Sequence, residues 1–183
     1  IYAHHSDEGE LLLHGKPVQF QSPADAERSG IAVIHQELAL VSELSAAENL
    51  FLGRLPTRAM RVDWPRVFKE ATQWFEKVGL LIPPETPVAE LGIAQRQLLE
   101  IARALSKQTR ILILDEPTAA LAEHETQTLL RLLRTLRSNG VSAIYISHRL
   151  EEVFSIADRI SVLRDGRSVF SANASHTDKA MLV

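Results

Sequence analysis

Hydrophobic residues change their spacing along this chain, and the changes predict strands alternating with helices. The four consecutive apolar residues at 111–114 show no polar alternation, which is typical of a strand covered on both faces in a parallel sheet. Similar apolar runs predict a short strand at 31–34 and a second buried strand at 141–147. Because helical patterns separate the strands from 111 onward, we expect parallel strands joined by right-handed crossovers.

In the middle of the chain, apolar residues recur at the spacing of an α-helix, which predicts a helical region. The sequence Ser-Ala-Ala-Glu at 45–48 is a capping box, which opens a helix by pairing side chains with free backbone amides. Asp63 is a typical cap at a helix start and Gly79 is a typical helix stop, so we predict a helix between them. Two further helices are predicted at 93–105 and 123–138.

Two glycine-containing turns predict antiparallel hairpins, one near each end of the chain. The first is centred on Gly15-Lys16 and the second on Asp165-Gly166, and apolar residues flank both. Together with the alternating strands and helices, the pattern predicts an α/β fold with a mainly parallel sheet and an N-terminal antiparallel β part.

Composition limits the classes of function that this chain can have. With 183 residues, of which 45% are hydrophobic, the chain suits one domain, or one domain with a subdomain. The formal net charge of −3 gives no basic surface for nucleic acid, so we expect no nucleic-acid partner. No apolar run reaches the roughly 18 residues that cross a bilayer, and the absence of cysteine excludes disulfides and thiolate metal sites.

Polar side chains follow three of the predicted strands. Asp115 and Glu116 come directly after the central apolar run, His148 follows the next strand along the chain, and Gln36 follows the short early strand. Because the carboxyl ends of parallel strands meet at one sheet edge, where ligands of open α/β folds bind, we expect these side chains to converge there. The ordinary alternatives are a solvated acidic turn for the carboxylates and a buried core position for His148. Convergence from three strands favours a nucleotide site over both alternatives.

In this order and spacing, the motifs resemble those of the ATP-binding-cassette ATPases, and most of all the ATP-binding subunits of bacterial monosaccharide importers of the xylose type. The resemblance covers nearly the whole chain. The motifs that carry it are a Q-loop at 34–38, the segment that follows it in sugar importers at 45–53, a signature segment at 91–95, a Walker B strand at 111–116, a D-loop approach at 117–121 and an H-loop at 146–148.

The resemblance implies a fold and a division of the chain. The fold would be a P-loop-type nucleotide-binding core, made of residues 1–41 and 106–183, with a helical subdomain inserted at 42–105. The whole of 1–183 would be a partial ATP-binding-cassette domain. It resembles the first of two such cassettes in a longer parent chain.

The resemblance also implies ATP and Mg²⁺ as ligands, with a role for each strand-end residue. Asp115 would coordinate Mg²⁺ through water, and Glu116 would be the general base that orients the attacking water. Gln36 would sense Mg²⁺ or the γ-phosphate and link that site to the membrane subunit, so it belongs to both the catalytic and the metal-binding sets. His148 would contact the γ-phosphate. These roles suit phosphoryl transfer, which depends on charge neutralisation and water positioning.

The signature segment would act on a nucleotide held by a partner cassette. Gly92, Ile93, Ala94 and Gln95 open a predicted helix, whose N-terminal amides and positive dipole end would face the γ-phosphate there. The segment departs from the family pattern, since Gly92 stands where serine is usual and Ala94 where glycine is frequent. Ala122 likewise replaces the usual aspartate of the D-loop. We therefore expect the two half-sites of a cassette pair to be unequal.

No Walker A motif is present in the sequence. Gly15-Lys16 follows Glu10 where the phosphate loop needs glycine, and proline follows the lysine, so we interpret the segment as a hairpin turn. Because the chain begins at Ile1 rather than Met and stops at 181–183, we interpret it as an internal fragment, with the phosphate loop expected upstream. Without that loop, we expect the fragment alone to bind ATP weakly and to hydrolyse none.

The function implied is ATP hydrolysis coupled to the import of xylose or a related monosaccharide, with the chain as part of the ATPase subunit of a translocase. Its partners would be transmembrane permease subunits, a second cassette and, indirectly, a periplasmic sugar-binding protein. It would be peripheral at the cytoplasmic face of the bacterial inner membrane. Two alternatives stay open: a soluble cassette ATPase acting on ribosomes or DNA, and a non-catalytic nucleotide-binding or regulatory module. The lack of a basic face and of coiled-coil arms argues against the first of these.

Overall fold

The computed structural model describes residues 9–177, and Ile1 and 181–183, on which the interpretation as a fragment partly rests, lie outside this range. Within it, no helix has both the length and the apolar character needed to cross a bilayer. The helices are α1 (Pro23–Arg28), α2 (Ala46–Leu50), α3 (Trp64–Val78), α4 (Ile93–Leu105), α5 (Glu123–Ser138) and α6 (Leu150–Ile156). The strands are β1 (Leu12–Leu13), β2 (Lys16–Pro17), β3 (Ile31–Ile34), β4 (Thr57–Arg58), β5 (Arg61–Val62), β6 (Ile111–Asp115), β7 (Ser142–Ile146), β8 (Arg159–Arg164) and β9 (Arg167–Asn173).

A parallel sheet in the order β3-β6-β7 positions the candidate site. Ile34 pairs with Leu114, and Leu114 pairs with Tyr145, so the strands end at nearly the same level. The connection from β6 to β7 runs through α5, which is the strand-helix-strand unit that the alternating pattern predicts. The predicted α/β fold is confirmed, and the other strand pairs of residues 9–177 are antiparallel.

The core joins one face of this sheet to the helices from the middle of the chain. Leu112 and Leu114 of β6 are fully buried, and Ile34 of β3 is almost fully buried. The predicted apolar face of α3 enters the same core through Val67, Ala71, Phe75 and Val78, with Trp74 half-buried beside them. Burial of each large apolar side chain contributes about 1.5–3 kcal/mol, so this shared core fixes the helices against the sheet.

The helix ends follow the local sequence signals. Ser45 and Glu48 form the predicted capping box, in which the Ser45 hydroxyl accepts from the Glu48 amide at 3.2 Å and the Glu48 carboxylate accepts from the Ser45 amide at 2.8 Å. Asp63 accepts from the Arg66 amide at the start of α3, and Gly79, with φ of 74°, ends that helix. Glycine adopts this left-handed backbone at little cost, which is why the helix stops there.

Both predicted hairpins form, although the first turn is shifted. β1 and β2 pair antiparallel around His14-Gly15, whose φ values of 52° and 73° suit a type I′ turn. Lys16 therefore lies in β2 and not in the turn itself. Asp165-Gly166, with φ values of 50° and 74°, joins β8 to β9 as the sequence predicts.

The prediction that the strand at 141–147 is buried is wrong. Ile144 is 52% exposed and Ile146 is 47% exposed, whereas Tyr145 between them is half-buried and packs against the core. In the described residues β7 lies at the end of its sheet, and the face that carries the two isoleucines is open. Burial of a strand depends on the elements beside it, and an apolar run does not report those neighbours.

Candidate functional site

The candidate site lies at the edge of the sheet where β3, β6 and β7 end. Asp115 is the last residue of β6 and Glu116 follows it, while Gln36 comes two residues after β3 and His148 two residues after β7. Because the strands are parallel and in register, these side chains emerge at one edge. The structure therefore brings together the strand ends that the sequence predicted to converge.

The backbone of Glu116 has an unusual conformation. Its φ of 45° lies in the left-handed region, which residues other than glycine rarely occupy. The Glu116 amide donates to the Ile146 carbonyl at 3.0 Å, which extends the hydrogen bonding between β6 and β7 by one residue. Pro117 next to it is buried. Strained residues of this kind persist only where the surroundings hold them, and they cluster at functional sites.

Glu116 and His148 are in direct contact. Nδ1 of His148 lies 2.9 Å from Oε1 of Glu116, and the imidazole is 73% exposed while the carboxylate is 32% exposed. This exposure excludes a buried core histidine at 148. The contact occupies Nδ1 and leaves Nε2 as the ring nitrogen that faces solvent or a ligand.

Asp115 lacks the kind of partner that Glu116 has. Its carboxylate is half-buried at the end of β6, and within residues 9–177 it makes no hydrogen bond or ion pair. Across the same residues, no group of three or more acidic or histidine side chains is placed to hold a metal ion.

Gln36 lies in a segment that is held from α4. Its side chain is exposed and, within the described residues, makes no hydrogen bond. Arg103 of α4 donates from Nη1 to the Ala39 carbonyl at 2.8 Å, and the Ala39 amide interacts with the carboxyl group of Glu100, also on α4. These contacts with α4 fix the backbone at Ala39, three residues after Gln36. The side chain of Gln36 stays accessible to a ligand.

The buried carboxyl group of Glu100 predicts a dependence of stability on pH. Burial raises the pKa of Glu100 above its ordinary value of 4.5, and Arg103 and the Ala39 amide oppose this shift. The unfolded state loses this proton near the ordinary pKa, whereas the folded state keeps it up to the raised pKa. Between the unfolded-state pKa and the folded-state pKa, the free energy of unfolding therefore falls as pH rises. Glutamine does not titrate, so Glu100→Gln lacks the fall in stability that Glu100 causes. The free energy of unfolding of Glu100→Gln minus that of wild type should therefore increase from pH 4.5 towards neutrality.

Urea unfolding at a series of pH values measures this effect. Glu90→Gln, which changes an exposed carboxylate in the short 3-10 helix Val88–Glu90 before α4, is the control for the substitution. Identical pH profiles for Glu100→Gln and Glu90→Gln would contradict the prediction.

The signature segment at 91–95 is structured but lies apart from the strand-end residues, which are Gln36, Asp115, Glu116 and His148. Gly92 caps α4 and donates its amide to Oε1 of Gln95 at 3.0 Å, while Ile93 is 53% exposed and Ala94 is half-buried. Within residues 9–177, no hydrogen bond or ion pair joins these four residues to the strand-end group. A groove of about 240 Å³ opens beside them, lined by Leu38, Leu40, Ser42, Val88, Ile93 and Arg96.

A buried polar cluster next to the site was not predicted from the sequence. Glu152 of α6 is 5% exposed, and its carboxylate contacts Thr118, Tyr145 and Arg149. One sequence signal could have revealed it, because Glu152 lies one helical turn before Ile156, which packs against the core. A charged residue on the inward face of a helix needs partners, and here they come from the neighbouring loop and strand.

Sequence comparisons relate the chain to proteins of one family. Residues 1–119 match the family model described as ABC transporter. The chain is 50% identical over 183 residues to the xylose import ATP-binding protein XylG of Moorella thermoacetica, covering 100% of this chain and 36% of that protein. It is 52% identical over 161 residues to the ribose import ATP-binding protein RbsA of Rhodopirellula baltica, covering 87% of this chain and 32% of that protein. The chain thus spans about a third of the length of these curated relatives.

Solved structures share the same fold. A TM-score of 0.77 relates the chain to a nucleotide-free ATP-binding cassette from an ABC transporter, with 23% identity over 91% of this chain and 70% of that one. A TM-score of 0.74 relates it to an ATP-binding cassette in a dimeric post-hydrolysis state bound to ADP and Pi, with 23% identity over 91% of this chain and 74% of that one. The parallel sheet and its helices are therefore arranged as in these cassettes.

Proposed function

This chain belongs to the ABC transporter family, and from that premise we propose that it is an ATP-hydrolysing cassette in the ATP-binding subunit of a bacterial monosaccharide importer. We propose xylose or a closely related sugar as the cargo, because the relatives with similar sequences include a xylose and a ribose import protein. The observation that carries the proposal is the contact of Glu116 with His148 beside the carboxylate of Asp115, which has no hydrogen bond or ion pair within residues 9–177.

In the proposed reaction, Glu116 acts on the attacking water and His148 acts on an oxygen of the γ-phosphate. One oxygen of the Glu116 carboxylate contacts His148, and the other can accept a proton from an attacking water. When the imidazole carries both protons, Nδ1 donates to Glu116 and Nε2 donates to an oxygen of the γ-phosphate. Positioning and charge stabilisation of this kind account for most of the catalysis in phosphoryl transfer.

Asp115 and Gln36 are the residues that we propose for Mg²⁺. The ion prefers oxygen ligands and is bound in nucleotide sites by one or two protein groups together with phosphates and waters. Asp115 fits this preference, because its carboxylate at the strand end lacks a partner in the described residues. The amide oxygen of Gln36 is a second ligand of the right kind. When bound, Mg²⁺ would neutralise part of the phosphate charge.

We propose that residues 42–105 form a helical subdomain that connects the nucleotide site to other proteins. Packing of α2, α3 and α4 against one another supports this division. Gly92, Ile93, Ala94 and Gln95 would complete a nucleotide site on a second cassette, in keeping with their lack of bonds to the strand-end residues. Permease subunits would bind at the groove beside this segment, at the cytoplasmic face of the inner membrane, and a periplasmic sugar-binding protein would deliver the cargo.

Reconstitution of the intact ATP-binding subunit with its permease in liposomes tests this proposal. We expect uptake of labelled xylose that requires ATP and Mg²⁺, and ATP hydrolysis that the sugar and its binding protein stimulate. Unlabelled ribose serves as competitor, and a non-hydrolysable ATP analogue serves as the control. Hydrolysis that responds to ribosomes or DNA but not to sugar would favour a soluble cassette ATPase. Nucleotide binding without any hydrolysis would favour a regulatory module.

A further inference from the structure

We propose that Glu152 is a positioning residue for hydrolysis, because its buried carboxylate ties the loop after Glu116 to the helix after His148. This inference rests on the proposed function, since it assigns a role in the reaction at Glu116 and His148. Glu152 itself touches neither of these two side chains, so it would act through the backbone segments that carry them.

Oε2 of the Glu152 carboxylate accepts two hydrogen bonds, whereas Oε1 forms an ion pair and, within residues 9–177, accepts no hydrogen bond. Oε2 accepts from the Thr118 hydroxyl at 2.6 Å and from the Tyr145 hydroxyl at 2.5 Å, and Oε1 lies 2.6 Å from Nη1 of Arg149. Glu152 is 5% exposed and Thr118 is 1% exposed. At this buried position the two hydrogen bonds to Oε2 are strong, and loss of the carboxylate removes the acceptor of the Thr118 and Tyr145 hydroxyls. The side chain of Arg149 is 41% exposed, so water can replace Oε1 as its partner.

The partners of Glu152 come from both loops of the site. Thr118 lies two residues after Glu116, and Arg149 follows His148 directly. Tyr145 is in β7, three residues before His148, and its hydroxyl also lies 3.3 Å from that of Thr118. One carboxylate therefore bridges the segment that carries the base and the segment that carries the histidine.

The donors are suited to a permanent bridge. Burial raises the pKa of Tyr145, and its hydrogen bond to Glu152 raises it further, so the phenol keeps its proton and stays a donor. The hydroxyl of Tyr145 therefore stays a donor to the Glu152 carboxylate. The guanidinium of Arg149 has only donors and no acceptor.

The geometry of the site explains why such a bridge matters. Glu116 holds a left-handed backbone that its surroundings must maintain, and the imidazole of His148 is 73% exposed. Within residues 9–177, Glu116 is the group that the His148 side chain contacts. Because no other side chain in that part of the chain holds the imidazole, its position depends on the backbone segments that carry Glu116 and His148. Movement of either loop would separate the pair, and a displacement of about 1 Å at a reacting group can lower a rate by about 10²-fold.

The test compares Glu152→Ala with Glu152→Gln in the intact subunit, reconstituted with its permease. We expect Glu152→Ala to lower kcat for ATP by about 10²-fold with little change in KM. The variant loses the alignment of Glu116 with His148, whereas the groups that bind the nucleotide are unchanged. Glu152→Gln keeps an oxygen that accepts from Thr118 and Tyr145, so we expect it to retain most of the turnover. Thr118→Val and Tyr145→Phe each remove one donor and should give intermediate losses.

A double-mutant cycle with His148→Ala separates positioning from stability. If Glu152 acts by aligning His148 with Glu116, Glu152→Ala costs much less turnover once His148 is already alanine. Equal losses in both backgrounds, accompanied by a lower melting temperature, would overturn the inference. Glu123→Ala is the matched control, because the exposed Glu123 carboxylate lies 3.8 Å from the same Arg149.

The outcomes distinguish this inference from the function on which it rests. If Glu116→Gln keeps normal turnover, the proposed function fails. If Glu116→Gln abolishes turnover while Glu152→Ala, Thr118→Val and Tyr145→Phe all keep it, the positioning role alone is wrong. Should Glu152→Ala fail to fold, Thr118→Val and Tyr145→Phe carry the test, because each leaves the carboxylate two of its three partners.

Discussion

Replacement of Glu116 by glutamine is expected to lower ATP turnover by roughly 10²-fold or more while ATP binding survives. Glutamine has nearly the same shape, and its side-chain oxygen can still accept from His148 at the position where the carboxylate does. It cannot take up the proton of an attacking water. Phosphate release and equilibrium binding of ATP, measured on the intact subunit, report the two properties separately.

The control for this experiment is Glu123→Gln, which changes an exposed carboxylate at the start of α5 and should leave turnover unchanged. Near-normal phosphate release by Glu116→Gln would show that another group takes the proton. Loss of ATP binding together with turnover would show instead that the carboxylate is needed to hold the nucleotide. Either result would remove Glu116 as the general base.

Replacement of His148 by alanine is expected to lower ATP turnover and sugar transport on the order of 10²-fold, as removal of one donor to a developing charge does in other enzymes. Affinity for ADP should hardly change, because ADP has no γ-phosphate for Nε2 to meet. The side chain is 73% exposed, so stability should change by less than about 0.5 kcal/mol. Turnover, ADP titration and a melting curve on one preparation measure all three quantities.

His124→Ala offers a matched control, because His124 is an exposed histidine in the first turn of α5. Turnover should be the same in this variant as in wild type. If His148→Ala instead kept full turnover and lost thermal stability, His148 would have a structural role only. Equal losses of ATP and ADP affinity would place the histidine near a different part of the nucleotide.

The parts of the fold that the sequence predicts well are those with local causes. The bounds of α4 and α5 agree with the predicted helices, because residues within one turn of each end decide where a helix starts and stops. The same holds for the capping box at Ser45 and for the turn at Asp165-Gly166. Placement of Asp115 and His148 at one edge follows from parallel pairing alone. Their chemical roles, and the division at 42–105, stay predictions.

The parts that the sequence does not predict depend on contacts between distant segments. The exposure of β7 reflects the elements beside its sheet, which an apolar run cannot reveal. The bridge from Glu152 to Thr118 joins residues from a loop and a helix that are separated by α5 and β7. The left-handed backbone of Glu116 has no signal in its residue type, since glutamate rarely adopts it. Both features belong to the site, where surroundings override local preference.

The backbone conformation of Glu116 also restricts which residues can replace it, whether in a mutant library or during evolution. A β-branched residue such as valine or threonine would add its own steric penalty to the loss of the carboxylate, because φ is 45° there. Asparagine and glycine tolerate that conformation, so they would leave the loop intact. Survivors of a saturation screen for folded protein should therefore be biased towards amide side chains and glycine, and inactivity of a branched variant would say little about chemistry.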